Sequence, residues 1–169
     1  MLPYEESSRV PLIVHDPRLP MNQRGLATSA LTANLDLAPT LLGIADVDSP
    51  PDMDGIDLST IWQQPSLPGH ESIYLVNVWC PVATYSLAVI SDEKKYIYWP
   101  YSEEGFEPVE ELFDLRADRM EMNNLANDQA AEPWLRSMRE KYDRAVEFWK
   151  QEAVPYHNYQ NWSDFFSRS

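Results

Sequence analysis

The stretch KKYIYWPYSEEGFEPVEELFDL, residues 94–115, decides the fold because it contains two β-like runs joined by a short polar segment. Residues 95–101 are rich in Tyr, Ile and Trp, which favour a strand, and residues 110–115 form a shorter run of the same kind. Two more β-like runs precede them, at residues 72–78 and 84–90. Because the connections are short, the four runs predict an antiparallel meander.

An amphipathic helix is predicted after these runs. It should begin near Pro133, which a first helical turn tolerates, and continue to about residue 153. Apolar residues recur there at steps of three and four, so their stripe should cover the meander. They are Trp134, Met138, Tyr142, Ala145 and Trp149. The aromatic tail YHNYQNWSDFF, residues 156–166, is predicted either to wrap the sheet or to contact another subunit.

The first part of the chain has a different pattern. The continuous apolar run VPLIV, residues 10–14, predicts a short strand buried on both faces, as in parallel sheets. Asp36 can cap a short helix that ends at Gly43, and residues 45–69 predict a long ordered loop. A strand covered on both faces needs neighbours that this chain does not supply. We therefore expect an N-terminal domain to be missing.

These patterns predict an α+β fold. About four antiparallel strands should pack against a long C-terminal helix, preceded by a strand–helix remnant of a larger α/β domain. The predicted division assigns the remnant and its linker loop to residues 1–69. The antiparallel sheet and its helix are assigned to residues 70–169.

Charge and composition exclude several classes of function. The chain has 13 Lys and Arg against 27 Asp and Glu, a formal net charge of −14, which repels nucleic acid and anionic membrane surfaces. No segment reaches the roughly 18 consecutive apolar residues of a membrane span. No signal peptide is recognisable, so the compartment stays open. The single cysteine, Cys80, excludes an intrachain disulfide.

Four segments in a fixed order resemble the C-terminal third of sulfatases of the alkaline phosphatase superfamily, the arylsulfatases and heparan N-sulfatases among them. The segments are YEESSRVPLIVHDP (4–17), LTANLDLAPTLLGIA (31–45), MDGIDLSTIW (53–62), and KKYIYWPY with EELFDLRADRMEMNNLA (within 94–126). Arg119 stands where the family usually has Pro, and Ile90 where many members have Arg. A substrate contact by that Arg is therefore not expected here.

The resemblance implies that the complete protein is a sulfuric ester hydrolase. Such enzymes use a formylglycine made from the Cys or Ser of a C/S-x-P-x-R motif, a divalent metal that is usually calcium, and Lys and His side chains. In the family these groups precede the segment that resembles residues 4–17. We therefore expect no catalytic residue, metal ligand or cofactor in this chain, which would be inactive alone and would supply scaffold and pocket rim.

Two local patterns imitate functional motifs without completing them. Cys80 is followed by proline one position too early for the formylglycine motif, and no arginine stands at the fifth position. Residues 52–55, DMDG, echo part of a calcium loop, but Ile61 occupies the position of its final glutamate. We interpret the first as a buried or rim cysteine and the second as a turn.

The candidates for a substrate-pocket rim are His70, Trp79, Cys80 and Tyr85, on the loops before and after the first antiparallel strand. The resemblance implies this role because the smaller domain of related enzymes leans over the pocket mouth. Ordinary packing or surface exposure is the alternative for each of them.

Two structural roles are also predicted near the ends of the resemblance. Glu5 and Arg9 are spaced to form a structural ion pair that braces the start of the predicted strand at residues 10–14. Asn123 and Asn124 should tolerate left-handed backbone in the turn after the last strand, with Leu125 plugging the core.

Two other hypotheses remain open. The chain could be a noncatalytic interaction module that forms a homo-oligomer or complements a separate N-terminal polypeptide. It could also belong to a phosphonate or phosphate monoester hydrolase. The substrate of the complete enzyme, a sulfated small molecule or a glycan, is not determined by these residues. Complete family members are often periplasmic, secreted or lysosomal.

Overall fold

The computed structural model describes residues 2–79, 82–101, 104–152, 154 and 160–168. The chain forms two compact units. One consists of Met1–Pro11 and Tyr74–Ser169 and is called the sheet unit; the other consists of Leu12–Ile73 and is called the loop-rich unit.

The described residues form helices, strands and short 3-10 turns. The helices are α1 (Glu5–Ser8), α2 (Leu37–Ile44), α3 (Ser59–Gln63), α4 (Glu132–Glu152) and α5 (Gln160–Phe165). The strands are β1 (Ile73–Asn77), β2 (Ser86–Ser91), β3 (Lys94–Trp99) and β4 (Val109–Asp114). Single 3-10 turns lie at Met21–Gln23, Asn34–Asp36, Val82–Thr84 and Gln129–Ala131.

The four strands form one antiparallel sheet in the order β1-β2-β3-β4. The register places Leu87 opposite Tyr98 and Lys95 opposite Phe113. The predicted α+β class with four antiparallel strands and a long C-terminal helix is therefore confirmed, with strand ends that differ from the predicted ones by one or two residues.

The hairpin between β2 and β3 has a two-residue loop. Asp92 and Glu93 both have positive φ, 50° and 59°, and lie between the paired residues Ser91 and Lys94. Two positive φ values are the signature of a type I′ turn, whose twist matches that of the strands. The Glu93 carbonyl also accepts the Leu115 N–H at 2.8 Å. A glutamate therefore occupies a position that glycine or asparagine would adopt with less strain.

Helix α4 covers one face of the sheet and forms the main core with it. The predicted positions Met138 and Tyr142 are buried, but Trp134 is 45% exposed and lies over Lys94, with Nζ 4.5 Å from the ring centroid. Leu135 and Val146 face the core where Trp134 and Ala145 were predicted, and Trp149 packs against it as predicted. The strand residues of this core are Leu87, Val89, Tyr96, Tyr98 and Leu112.

The opposite face of the sheet packs against the start of the chain. Ile97, Trp99 and Phe113 are buried there, and Tyr4 packs against them at the entry to α1. The Tyr4 ring lies 6.3 Å from both the Trp99 and the Phe113 ring. Both faces of the sheet are therefore covered within this unit.

The described part of the aromatic tail packs onto α4. Phe166 is fully buried in the main core, and its carbonyl accepts the Tyr142 hydroxyl at 2.7 Å. Residues 156–159 lie outside the described residues. The described tail residues thus pack mainly on α4 rather than wrapping the sheet as the first alternative predicted, and contact with another subunit stays a prediction.

The predicted strand at residues 10–14 is wrong. The described chain forms no strand there, and four of its side chains are exposed: Val10 63%, Leu12 50%, Ile13 90% and Val14 46%. A strand needs neighbours for its N–H and C=O groups, and the four strands of the sheet all lie after residue 72. The apolar sequence alone does not provide that pairing.

The predicted end of α2 and the predicted long loop are both partly wrong. The helix continues past Gly43 to Ile44, and the chain then turns through Asp46 at φ 56°. Gly43 is instead closely packed against Asp57, since a Cβ atom there would lie 2.5 Å from a carboxylate oxygen of Asp57, whose side chain would have to shift. The segment predicted as loop, residues 45–69, contains helix α3.

Candidate functional site

Asp36 and His70 form a buried dyad in the loop-rich unit. His70 Nε2 lies 2.7 Å from Asp36 Oδ1, with the aspartate side chain fully buried and the imidazole 16% exposed. Asp36 Oδ1 also accepts a backbone N–H, so it faces His70 Nε2 as an acceptor and Nδ1 is the other ring nitrogen. The His70 N–H also donates to the Leu31 carbonyl at 2.8 Å. The rim candidate His70 is thus held by both its ring and its backbone.

The sequence predicted that Asp36 caps α2, but its side chain makes no hydrogen bond to the start of that helix. Its Oδ2 accepts the Ala33 N–H at 2.7 Å, and its Oδ1 accepts the Ile56 N–H at 2.9 Å in addition to His70. Its own carbonyl accepts the Thr40 hydroxyl at 2.6 Å. The carboxylate therefore joins three separated segments, because two backbone N–H groups need a buried acceptor.

A shallow groove of about 390 Å³ lies in the same unit. Its only arginine, Arg18, is 61% exposed and makes a bidentate pair with Asp16 at 2.9 and 2.8 Å. His70 is not part of its lining. The lining residues are Asp16, Arg18, Leu19, Pro20, Gln23, Gly43, Ile44, Ser59 and Gln63.

The other rim candidates belong to the sheet unit. Trp79 follows β1 and is 76% exposed, whereas Tyr85 precedes β2 and is half-buried. The Tyr85 ring packs edge-to-face on Trp162 and Phe165 of α5, with centroids 5.0 and 5.7 Å apart. Cys80 lies outside the described residues. His70 belongs to the other unit, so the structure groups only Trp79 and Tyr85 on one connection.

A buried lysine that the sequence analysis missed forms the most enclosed charged centre. Lys95 is fully buried, and its Nζ lies 2.8 Å from Glu5 Oε1 and 2.9 Å from Glu121 Oε1. Nζ also donates to the Pro3 carbonyl at 2.9 Å. One cation thus faces two carboxylates, and the contact with Glu121 is an ion pair without hydrogen-bond geometry. We call Lys95, Glu5 and Glu121 the lysine centre.

The lysine centre ties the start of the chain to the sheet. Glu121 adopts positive φ, 54°, and its Oε2 accepts the Glu5 N–H. The predicted left-handed positions Asn123 and Asn124 are not among the described residues with positive φ. Asn124 instead uses its side chain, whose Oδ1 accepts the Leu112 and Ala126 N–H groups.

Glu5 of the lysine centre also forms the predicted ion pair with Arg9, at 3.5 Å. Arg9 is 57% exposed, so this pair contributes little to stability. The buried partner of Glu5 is Lys95, and the sequence signal for its burial was strand alternation. Lys95 lies on the same face of β3 as Ile97 and Trp99, which are both buried. Predicted Leu125 packs against the main core, as expected.

A second charged cluster lies on β4. Glu110 accepts hydrogen bonds from Tyr96, Arg139 and Arg168, the last at 2.7 Å. Arg168 also makes a bidentate pair with Asp143, at 2.9 Å for both contacts. Burial by itself raises the pKa of Glu110, but hydrogen bonds from its three partners outweigh it and lower the pKa to about 2. The cluster is therefore ionised and internally neutralised at neutral pH.

The described residues show neither a group of metal-binding side chains nor a membrane-spanning helix. No three His, Cys, Asp or Glu side chains among them come together as metal ligands. None of the described helices is both long and apolar enough to cross a membrane.

Comparisons with known proteins agree with the resemblance. The family model described as N-sulphoglucosamine sulphohydrolase, C-terminal, matches residues 1–148. An arylsulfatase of Clostridium perfringens is 26% identical over 129 residues, which cover 76% of this chain and 25% of the relative. The choline-sulfatase of Rhizobium meliloti is 34% identical over 159 residues, covering 85% of this chain and 28% of the relative.

A solved structure shows the same fold. A protein in complex with its substrate D-glucosamine-2-N,6-O-disulfate superposes with a TM-score of 0.64 at 20% identity, over 78% of this chain and 27% of that protein. The chain thus spans about a quarter of the length of the relatives it matches. The match over residues 1–148 shows that this chain belongs to the sulfatase family, in which it corresponds to the C-terminal domain.

Proposed function

We propose that this chain serves as the C-terminal portion of a sulfuric ester hydrolase and that it is catalytically inactive alone. The observation that carries the proposal is the family match over residues 1–148, combined with coverage of only 25% and 28% of two relatives. An N-terminal sulfatase portion, in the same or a separate polypeptide, would supply the reacting groups.

The charged groups of the described residues support inactivity. Hydrolysis of a sulfate ester needs a positioned nucleophile, a cation that neutralises the charge of the transferred group and a general acid that protonates the leaving oxygen. Lys95, Arg139 and Arg168 are already paired with carboxylates of this chain. Their geometry suits a scaffold, because breaking a buried pair leaves a costly uncompensated charge. In the complete enzyme, calcium and a formylglycine would belong to the N-terminal portion.

The rim role is proposed for His70, Trp79, Cys80 and Tyr85. Trp79 supports it most directly, because a 76% exposed indole offers a flat apolar surface for a ligand. His70 supports it through Nδ1, which the pairing of Nε2 with Asp36 leaves as the second ring nitrogen. A sulfated small molecule or glycan is the proposed substrate class, in line with the choline-sulfatase among the relatives.

A turnover assay tests this proposal. The purified 169-residue chain is incubated with 4-nitrophenyl sulfate and calcium, with and without a chelator, and released nitrophenol is followed by absorbance. We expect no turnover above the protein-free rate. Chelator-sensitive turnover by the chain alone would overturn the claim of inactivity, whether or not a Cys80→Ser variant retains that turnover.

One observation favours the second hypothesis, a noncatalytic interaction module. The apolar run at residues 10–14 is exposed, and exposed contiguous apolar surface commonly marks an interaction site. Light scattering separates the hypotheses. A mass of one chain at micromolar concentration contradicts self-association, whereas a dimer that becomes monomeric in an Ile13→Asp variant supports it.

A further inference from the structure

The C-terminal tail lies beyond residue 148, where the family match ends, yet it is firmly attached to the sheet unit. Phe166 is fully buried, and Arg168 pairs with both Glu110 and Asp143. Lys150 on α4 adds contacts to Asp164 at 3.3 Å and to Ser167. This attachment gives α5 a defined position from which its rings can hold other parts of the unit.

Two of those rings hold Tyr85. Trp162 and Phe165 meet it edge-to-face, with interplanar angles of 71° and 76°. Edge-to-face pairs are favourable because the positive ring edge meets the negative ring face, and they orient the rings as well as bury them. Tyr85 is thus the residue through which the tail reaches the connection between β1 and β2.

The connection between β1 and β2 is also held by hydrogen bonds next to the two strands. The Asn77 side chain, 4% exposed, donates from Nδ2 to the Thr84 carbonyl at 2.8 Å, and the Tyr85 N–H donates to Val82 at 3.0 Å. Trp79 lies between these hydrogen-bonded residues and is exposed. The described residues on both sides of Trp79 are thus held by hydrogen bonds within the connection.

We propose that α5 is a positioning element, in which Trp162 and Phe165 hold Tyr85 and thereby the connection that presents Trp79 to substrate. The effect on substrate rests on the proposed function as a sulfatase rim; the effect on the connection does not. Trp162 and Phe165 are positioning residues, which act through Tyr85 without touching the substrate themselves. The ligand that suits Trp79 has a flat face, such as an aryl ring or a sugar.

A tail that only covers the core would give a different response to mutation. Loss of a general cover loosens the whole unit, so amide exchange rises at every core position. Loss of a local support loosens the supported connection first. The two roles are therefore separable by residue-resolved exchange in the full 169-residue chain.

The first experiment measures hydrogen exchange by NMR in the Phe165→Ala variant. We expect the Tyr85 amide to exchange on the order of tenfold faster while the Leu112 amide keeps its rate. Phe165→Tyr, which keeps the ring, should restore the wild-type rate. Phe148→Ala, which removes a 60% exposed ring from α4, is the matched control and should change neither amide. An equal rise at both amides, or no change at Tyr85, would overturn the proposal.

The second experiment measures kinetics in a sulfatase polypeptide that carries these 169 residues after an N-terminal sulfatase portion. Phe165→Ala is expected to raise KM for 4-nitrophenyl sulfate several-fold with kcat unchanged, and Phe165→Tyr should restore it. Leu135→Val, which weakens the core in α4, should leave KM unchanged. A lower kcat at constant KM, or the same KM change in Leu135→Val, would refute the role in substrate binding.

The two experiments also separate this inference from the proposed function. If the wild-type polypeptide hydrolyses no sulfate ester, the proposed function and the substrate role fall together. The exchange result then still decides whether α5 positions the connection. If activity is present and exchange at Tyr85 is unchanged, the proposed function stands and the positioning role of α5 is wrong.

Discussion

The sheet unit and the loop-rich unit are stabilised in different ways. The sheet unit has two apolar layers, one between α4 and the sheet and one between the sheet and the start of the chain. In the loop-rich unit, the buried apolar residues among those described are few: Pro39, Leu58, Ile61 and Ile73. Its buried centre is the Asp36 carboxylate, which accepts two backbone N–H groups and a histidine.

The buried polar groups of the two units, the lysine centre and Asp36, reflect this difference in stabilisation. The lysine centre is a buried ion-pair cluster in a unit with a packed apolar core, whereas Asp36 organises loops that have little core of their own. Hydrogen bonds contribute little net energy when made but cost much when one partner is removed. A unit built around one acceptor should therefore respond locally and sharply to its loss, and a packed unit should respond as a whole.

The largest expected effect is that of Lys95→Met. It leaves the buried carboxylate of Glu121 without a cation and leaves Glu5 only its pair with the exposed Arg9, which should cost about 3–5 kcal/mol of unfolding free energy. Urea denaturation followed by circular dichroism measures the loss. Lys94→Met, on the same strand but 15% exposed and paired with Asp114, is the matched control and should cost less than about 1 kcal/mol. Equal losses would mean that the lysine centre has no special role.

Asp36→Asn should destabilise the loop-rich unit by about 2–3 kcal/mol, because an amide cannot accept from all three donors. Amide exchange at Ile56 and Ala33 should accelerate, while exchange at Leu112 in the sheet unit should not. Asp57→Asn, which affects a carboxylate with one backbone contact to Ser59, is the control. Acceleration at Leu112 of the same size would contradict the proposed local role of Asp36.

Acid should weaken the sheet unit through Glu110. Its pKa is lowered in the folded state from 4.5 to about 2. The stabilisation is therefore fully present above pH ~4.5 and is lost as the pH falls toward 2, by about 2 kcal/mol after allowance for solvent screening. Urea midpoints between pH 5 and 2 measure this slope, which Glu110→Gln should flatten. An unchanged slope in that variant would assign the acid sensitivity to other carboxylates.

The smallest effect is a gain. Glu93→Gly should stabilise the sheet unit by about 0.5–1 kcal/mol, because glycine adopts φ 59° in the type I′ turn without strain. The Asp92→Gly variant tests the neighbouring position, where aspartate tolerates φ 50° better and the gain should be smaller. A loss of stability in Glu93→Gly would show that the turn does not control the hairpin.

The sequence predicted the sheet unit well because its signals are local. Strand-forming runs, short connections and the spacing of Met138 and Tyr142 depend on residues near one another in the chain. The burial of Lys95 depends on Glu5 and Glu121, which are distant in sequence, so the residue type of Lys95 does not predict it. Strand alternation with Ile97 was the one available signal.

The loop-rich unit was predicted less well for a related reason. An apolar run such as residues 10–14 predicts burial, but strand formation depends on neighbours, and the described chain provides none beside it. Asp36 was assigned to the nearest helix, although its partners Ile56 and His70 come from farther along the chain. The candidate rim residue His70 was identified by its place on a loop, and its dyad with Asp36 could not be foreseen.

The most direct test of the central claim is a chimera. The C-terminal region of the choline-sulfatase of Rhizobium meliloti, 34% identical to this chain, is replaced by these residues, and hydrolysis of choline sulfate is measured for the chimera and for the chain alone. The account predicts turnover by the chimera and none by the isolated chain. A chimera that folds but is inactive, or an isolated chain that is active, would contradict it.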